Sequence, residues 1–367
     1  MKVLLLGNPE SAHTVKWVKA LANKGIQVYL LSLNQISEDL FADFPNVKVK
    51  SLGLSNRFVM QKNPRFVKII YLRILPEIKR VIKFFEPDIL HSHYVSSYGV
   101  LGALTGFHPY LVSIWGSDIY RFPHRSWINR ALVKYSLSKA DAILSTSNNM
   151  VNQIKRFTQK PIEITPFGID TDSFRSLPVK NNENTFVIGT VKNLKKIYGI
   201  DLLIKAFKKI VDWNPGLDLK LVIVGQGTER KNLKSLANSL EINQKIEFAG
   251  NAEPDDVPYY INRMDVFVAL SVCNESFGVS VLEAGACEKP VVVSNVSGFN
   301  EIVKDNYTGL VVPRNDVSKS AEAIQRLIHD PRLRNKLGKN ARRHVENNYS
   351  FHSSIDCMLK IYKQMLK

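Results

Sequence analysis

Two doubly wound α/β domains in series are the fold class that the sequence predicts. Three observations carry it. Apolar runs of strand length alternate with stretches of helical period along most of the chain. The alternation stops at a polar stretch, "SLPVKNNENT" (176–185), and then restarts. A chain of 367 residues is also longer than one ordinary core requires.

The first domain is expected over residues 1–175. "KVLLLGN" is a buried strand, "SAHTVKWVKALANKG" a helix with Val15, Val18, Leu21 and Ala22 on one face and Gly25 at its C-terminal end, and "IQVYLLSL" the next strand. Strand, helix and strand within about 30 residues form a βαβ unit, so the sheet is parallel. The pattern recurs as "PDILHSH", "SYGVLGALTG", "PYLVSIWG", "SWINRALVKYSLSKA", "DAILSTS", "NNMVNQIKRF" and "IEITPFG".

The second domain is expected over 176–350. Its strands are "FVIGTVK", "LKLVIVG", "KIEFAG", "DVFVALS", "PVVVSN" and "TGLVVP". Helical stretches separate them: "GIDLLIKAFKKIV", "ERKNLKSLANSL", "DVPYYINR", "GVSVLEAGAC" and "FNEIVKD", with "SKSAEAIQRLIHD" following the last strand. Residues 351–367 read as a C-terminal helix packing back on the first domain. Such sheets bind ligands at the carboxyl ends of their strands, so a cleft between two facing domains is the expected site.

Composition narrows the function. Hydrophobic content of 45% and charged content of 23% mark a folded chain. No apolar run reaches the ~20 residues of a spanning helix. The N-terminal run is shorter than the roughly 7–15 residues of a signal core and reads as a strand, so a cytoplasmic protein is expected. Cys273, Cys287 and Cys357 have neither metal-ligand spacing nor an even count, which argues for thiols rather than a disulfide framework.

The net charge of +17 is uneven: residues 1–180 hold 24 Lys+Arg against 12 Asp+Glu. An anionic partner is therefore expected on the N-terminal half. Residues 55–85 hold eight Lys/Arg and the single acid Glu77, interleaved with Phe58, Val59, Met60, Phe66, Ile69 and Ile70. This basic amphipathic stretch reads as a contact with an anionic membrane surface, or as an ordinary helix with one core face and one solvated face. No nucleic-acid motif accompanies the charge, so no nucleic-acid partner is expected.

The stretch "NESFGVSVLEAGA" (274–286) carries the densest chemistry. It follows the strand "DVFVALS", so its loop lies at a strand's carboxyl end. A helix starting near Ser276–Gly278 aims the N–H groups of Phe277, Gly278 and Val279 at an anion. Glu275 stands beside that anion. Glu283, about two turns along the helix, can accept two hydrogen bonds from adjacent hydroxyls such as those of ribose. The arrangement suits a nucleoside diphosphate carrying a sugar.

The surrounding segment, "NESFGVSVLEAGACEKPVVVSNVSGFNEIVKDNYTGLVVP", resembles the retaining nucleotide-sugar glycosyltransferases of family four, which have the GT-B fold. The resemblance extends over almost the whole chain. It includes "GNPESAHTVKWVKALANKG", "HSHYVSSYG", "WGSDIY", "ITPFGIDTDSF", "GTVKNLKKIYGIDLLIKAF", "VIVGQGTE" and "FAGNAEPDDVPYYINRMDVFVALS". It implies two Rossmann-like domains facing across a cleft, the first binding the acceptor and the second the nucleotide-sugar. Glu275 would contact the donor sugar, Phe277, Gly278 and Val279 would offer N–H groups to sugar and phosphate, and Glu283 would hold the ribose. Gly168 and Asp170 would lie near the hinge. Glu301, in "GFNEIV", is a donor-side candidate or an acid at a helix start.

The resemblance also exposes departures. The family presents an Arg and a Lys to the pyrophosphate; here Asn193 and Tyr198 occupy those positions, with Lys192, Lys195 and Lys196 nearby. A leaving diphosphate needs at least one cation, and Lys192, then Lys196, is the choice. Where many relatives carry a His after the strand "VSIWGSD", this chain has Trp115. Asp118 follows, either accepting bonds from substrate hydroxyls or capping a helix. His13 opens the first helix on the acceptor side, where a solvated His is the plain alternative. His91 and His93 alternate at a strand end and are read as pointing to opposite faces. A shared metal site is then not expected, and His93 is taken to face the ligand.

The resemblance implies transfer with retention by a front-face reaction in which the leaving phosphate helps take the acceptor's proton. No "DxD" motif occupies a plausible ligand loop, so neither a metal nor a cofactor beyond the co-substrate is expected. Domain closure about residues 170–185 would exclude water. The acceptor is expected to be a glycan or a lipid-linked sugar in surface-polysaccharide or lipopolysaccharide synthesis, at the inner face of the membrane. Competing readings are another GT-B enzyme, such as a nucleotide-sugar epimerase or a phosphorylase, or a non-catalytic basic surface protein.

Overall fold

The computed structural model describes residues 1–35, 38–53, 64–179 and 184–367, without the side chains of 38 and 64–72. The chain forms two compact units. Unit 1 comprises Met1–Pro166 together with Ser354–Lys367, and unit 2 comprises Phe167–Ser353.

Unit 1 is built on a seven-stranded sheet in the order β3-β2-β1-β4-β5-β6-β7. The strands are β1 Lys2–Leu6, β2 Gln27–Ser32, β3 Val47–Ser51, β4 Ile89–His93, β5 Tyr110–Ile114, β6 Ala142–Ser145 and β7 Ile162–Ile164. Every pairing is parallel. Helices cover both faces, which is why β4, β5 and β1 from Val3 onward are buried at every residue rather than at alternate ones. The chain leaves β1 toward β2 and β3, then returns to place β4 on the other side of β1. The sheet therefore has a topological switch point between β1 and β4.

Edge strand β3, "VKVKS", is absent from the expectations drawn from sequence. Its alternation of Val with Lys leaves it without one buried residue. Lysines at an edge also discourage pairing with another chain.

The basic segment 55–85 is described in part. Residues 55–63, with Phe58, Val59 and Met60, lie outside the described residues, as do the side chains of Phe66, Ile69 and Ile70. The helix Pro64–Phe85 buries Ile74, Ile78, Val81 and Phe85 in the core of unit 1. Arg73, Lys79, Arg80 and Lys83 are exposed, and Glu77 pairs with Lys50 and Arg80. No described helix is long and apolar enough to cross a membrane.

The C-terminal helix Phe351–Met365 buries Ile355, Met358, Ile361 and Tyr362. The Tyr362 hydroxyl lies 2.6 Å from His91 Nδ1, and His91 Nε2 lies 2.8 Å from the Ser113 hydroxyl. A residue at the end of the chain thus completes the hydrogen bonding of a buried imidazole on β4.

Unit 2 is built on a six-stranded parallel sheet, β10-β9-β8-β11-β12-β13. Its strands are β8 Thr185–Val191, β9 Asp218–Val224, β10 Ile246–Gly250, β11 Val266–Ala269, β12 Val291–Ser294 and β13 Gly309–Val312. The switch point lies between β8 and β11. Helices Ile200–Trp213 and Val317–His329 bury their apolar stripes against one face of the sheet.

The chain enters unit 2 at Phe167, ahead of the polar stretch read as the linker. Arg342 donates to the carbonyls of Thr171, Phe174 and Ala286. Asn262 donates to Arg175 O and accepts from Leu177 N. Ile169 pairs with Ser350. The backbone from Thr171 to Leu177 is therefore held by side chains of unit 2, and residues 180–183 of the polar stretch lie outside the described residues.

Candidate active site

In unit 2 the residues of interest gather where the strands end. Lys192 directly follows β8, and its N–H still donates to Val224 O of β9. Glu275 lies in the loop after β11. Because β8 and β11 are neighbours with diverging connections, these two loops border the switch point. Lys192 Nζ stands 3.1 Å from Glu275 Oε1, and both side chains are largely buried. The buried Ser271 hydroxyl donates to the same oxygen at 2.5 Å. Lys192 Nζ also lies 4.5 Å from the Tyr198 ring centroid and 5.9 Å from that of Phe299.

The backbone around Glu275 is fixed by close approach. A Cβ on Gly298, in the first turn of the helix Ser297–Ile302, would stand 2.4 Å from Glu275 O. Gly278 is the N-cap of the helix Val279–Ala286, with φ +100°. A side chain there would be strained and would also meet Ile302 and Phe299 at 2.9 Å. Val281 N and Leu282 N donate to Gly278 O, and the N–H groups ahead of them carry the positive end of the helix.

Phe277 offers backbone alone. Its ring is buried between Phe167 and Tyr349, with centroids at 6.2 Å and 5.7 Å. Glu283 lies one turn into the helix, partly accessible, rather than two turns along it. Glu301 sits in the last turn of Ser297–Ile302, so the helix-start reading fails, and its carbonyl accepts from the Tyr349 hydroxyl. Lys196 lines a surface pocket with Lys195, Asp201, Lys205 and Glu229. Lys192 is therefore the lysine that the fold brings to Glu275.

In unit 1 the switch point between β1 and β4 collects His13, Thr14, His93 and Trp115. His93 Nδ1 lies 3.3 Å from the Thr14 hydroxyl, and its ring lies 4.5 Å from that of Trp115. Trp115 also meets Tyr94 at 5.3 Å and His13 at 5.9 Å. His91 and His93 share one face, with ring centroids 4.9 Å apart. This corrects the opposite-face expectation: residues two apart on a strand point the same way. Both imidazoles are fully buried, and burial lowers His91 to about 3 and His93 well below its ordinary value. Burial, then the charge of Lys16, holds His13 at about 4.

Asp118 differs from its substrate-binding expectation. It is 1% exposed. One oxygen accepts from Val95 N at 3.0 Å and the other from Gly116 N at 2.8 Å, with Trp115 N also within reach. Burial raises the carboxyl to about 6 against the pull of these N–H groups. It is not a helix cap either: it pins the loop after β5 to the loop after β4 and fixes the backbone of Trp115.

Two family models match the chain: "Glycosyl transferases group 1" over residues 173–344 and "Glycosyl transferase 4-like" over residues 2–147. The chain belongs to the group 1 glycosyltransferases. An uncharacterized glycosyltransferase of Methanocaldococcus jannaschii is 26% identical over 96% of the chain and 93% of the relative. The N-acetyl-alpha-D-glucosaminyl L-malate synthase of Bacillus anthracis is 23% identical over 95% of the chain and 92% of that enzyme. The crystal structure of Anabaena HepE in complex with UDP-glucose superposes with a TM-score of 0.78 at 17% identity, covering 99% of the chain and all of that structure. The fold of this glycosyltransferase is GT-B.

Some participants in the glycosyltransferase site are silent in the sequence. Ser271, four residues before Glu275 at the end of β11, orients the carboxylate. Arg314, after β13, donates to Asn274 Oδ1 at 2.9 Å and so braces the same loop. Neither has a motif of its own, although a hydroxyl at a strand end beside a candidate carboxylate is the kind of signal that would find Ser271. Among the described residues no group of three or more His, Cys, Asp or Glu side chains is placed to hold a metal ion.

Proposed function

We propose that this glycosyltransferase moves a sugar from a nucleotide-sugar to a hydroxyl of a glycan or lipid-linked acceptor, with retention at the anomeric carbon. The observation that carries the reading is the Lys192–Glu275 pair at the switch point of unit 2. A nucleoside diphosphate at that point meets one ammonium and the positive end of the helix Val279–Ala286. Glu275 then turns toward the hydroxyls of the sugar, and Glu283 toward the ribose. The bound UDP-glucose of the HepE structure supports a donor of this class.

In the reaction the bond between the anomeric carbon and the phosphate oxygen breaks, and a bond to the acceptor oxygen forms on the same face. The acceptor's proton passes to the departing phosphate. Lys192 and the helix N–H groups stabilise the growing negative charge, while the protein otherwise supplies orientation. Neutral imidazoles at the switch point of unit 1, His13 above all, are suited to accept a hydrogen bond from an acceptor hydroxyl. The reading takes no cofactor and no resident metal. It places the enzyme in surface-polysaccharide or lipopolysaccharide synthesis, working against the inner face of the membrane through residues 55–85. The exposed Arg73, Lys79, Arg80 and Lys83 support contact with anionic lipid.

The test is thermal stabilisation of the purified protein by UDP, GDP and ADP, with Glu283→Ala as control. Selective stabilisation by one nucleotide, lost in the variant, supports the donor site; no shift with any nucleotide overturns it. Proton NMR of the product's anomeric signal then reports retention or inversion.

A further inference from the structure

Lys192 is the cation of the proposed donor site, and in the unliganded protein Glu275 already compensates part of its charge. When Glu275 turns to the sugar, a lysine with four rotatable bonds and no other partner would swing to water. The Tyr198 ring supplies that partner. Its face lies 4.5 Å from the ammonium, within the range of an attractive cation–ring contact, and Phe299 flanks it at 5.9 Å. A ring attracts the ammonium without neutralising it, so the charge stays available to phosphate.

The backbone makes this ring a fixed support. Tyr198 closes the short turn Lys196–Tyr198, with its N–H donating to Lys195 O at 3.0 Å. The adjacent Ile197 carbonyl accepts from Val272 N at 2.9 Å. The loop after β8 is thereby tied to the loop after β11 that carries Glu275. We propose that Tyr198 is a positioning residue, whose ring face holds the Lys192 ammonium at the switch point so that it meets the donor's diphosphate. The proposal rests on the donor-site reading above.

The test compares Tyr198→Phe, which keeps the ring face, with Tyr198→Leu, which removes it. Calorimetric titration of the full chain with UDP, GDP and ADP gives the tightest nucleotide. Its affinity falls about five- to tenfold in Tyr198→Leu and less than about twofold in Tyr198→Phe. In a Lys192→Met background, Tyr198→Leu costs less than about twofold more, because the two residues act as one unit. A second readout needs no ligand. After reductive methylation with carbon-13, the Lys192 signal, assigned by its loss in Lys192→Arg, is shifted by the ring in wild type and Tyr198→Phe and unshifted in Tyr198→Leu. An unshifted wild-type signal, or a Tyr198→Leu loss that persists without Lys192, overturns the proposal. If Lys192→Met and Glu283→Ala both bind nucleotide as wild type does, the donor-site reading falls; the methyl signal still decides whether the ring holds the ammonium.

Discussion

Lys192 and Glu275 meet at 3.1 Å from the carboxyl ends of two adjacent strands whose connections run in opposite directions. Their separation in sequence is 83 residues, and the sheet order alone makes them neighbours. The pair sets the first prediction. Glu275→Gln removes the carboxylate that competes with phosphate for Lys192, so nucleotide binding holds or tightens by about two- to threefold. Sugar transfer falls by about 10²-fold or more, because the sugar loses its anchor. Calorimetry and initial rates measured on one preparation separate the two effects; parallel losses in both would show that Glu275 serves only the fold.

Lys192→Met should act in the opposite way, weakening a nucleoside diphosphate by about tenfold. The corresponding monophosphate loses less, since it lacks the second phosphate that the ammonium would face. Competition binding with the UDP–UMP or GDP–GMP pair reads the difference, and equal losses for both members would place the lysine away from the diphosphate.

Gly278→Ala carries two costs, a left-handed backbone and a contact at 2.9 Å with Phe299 and Ile302. Together they should destabilise unit 2 by about 1–3 kcal/mol. The helix start would move as well, so nucleotide binding should fall along with the unfolding midpoint. A variant with an unchanged midpoint would mean that the loop relaxes without strain.

Acid should loosen unit 1. His13, His91 and His93 have folded-state values below the ordinary 6.5, so between those values and 6.5 the unfolded chain binds more protons. Their stabilising contribution is full above about pH 6.5 and is lost as the pH falls toward 4. Asp118, raised to about 6, works against one of them, because there the folded chain binds the extra proton. The net is about two protons, a slope of up to about 2.7 kcal/mol per pH unit between pH 4 and 6. Urea midpoints at pH 5 and 7 measure it, and equal midpoints would show that the imidazoles titrate in the ordinary range.

Tyr362→Phe removes one hydrogen bond to a buried imidazole and keeps the ring. It should cost about 1–3 kcal/mol, mostly from leaving His91 Nδ1 unpaired. Denaturation of the full chain reads this directly, and a cost near zero would mean that His91 finds another partner.

The doubly wound architecture was legible because both sheets are covered on both faces. Strands such as "KVLLLGN" and "DVFVALS" then announce themselves as unbroken apolar runs. Edge strand β3 was not legible, since two of its five side chains are lysines. The helix Pro331–Tyr349 also escaped: its core contacts come from the sparse series Leu337, Ala341 and Val345, set in a strongly basic sequence. At the site, the loop of Glu275 and the helix after it could be read from local order. The choice of Lys192 over Lys196 was made in sequence as an order of preference, and only the three-dimensional path of the turn sets one beside Glu275 and the other along a surface pocket. His91 and His93 share a face because residues two apart on a strand point the same way, and Asp118 is not legible because no sequence rule says that three backbone N–H groups will converge on it.

The segment Ser354–Lys367 belongs to the same unit as Met1–Pro166, with all of unit 2 between them. During synthesis the sheet of unit 1 therefore leaves the ribosome long before its last helix. His91 waits without Tyr362 while the continuous unit 2 is made. Biosynthesis thus imposes an order: unit 2 can close as soon as Ser353 has emerged, whereas unit 1 still awaits Ser354–Lys367. A nascent or prematurely terminated chain would carry an incomplete unit 1 and a complete unit 2.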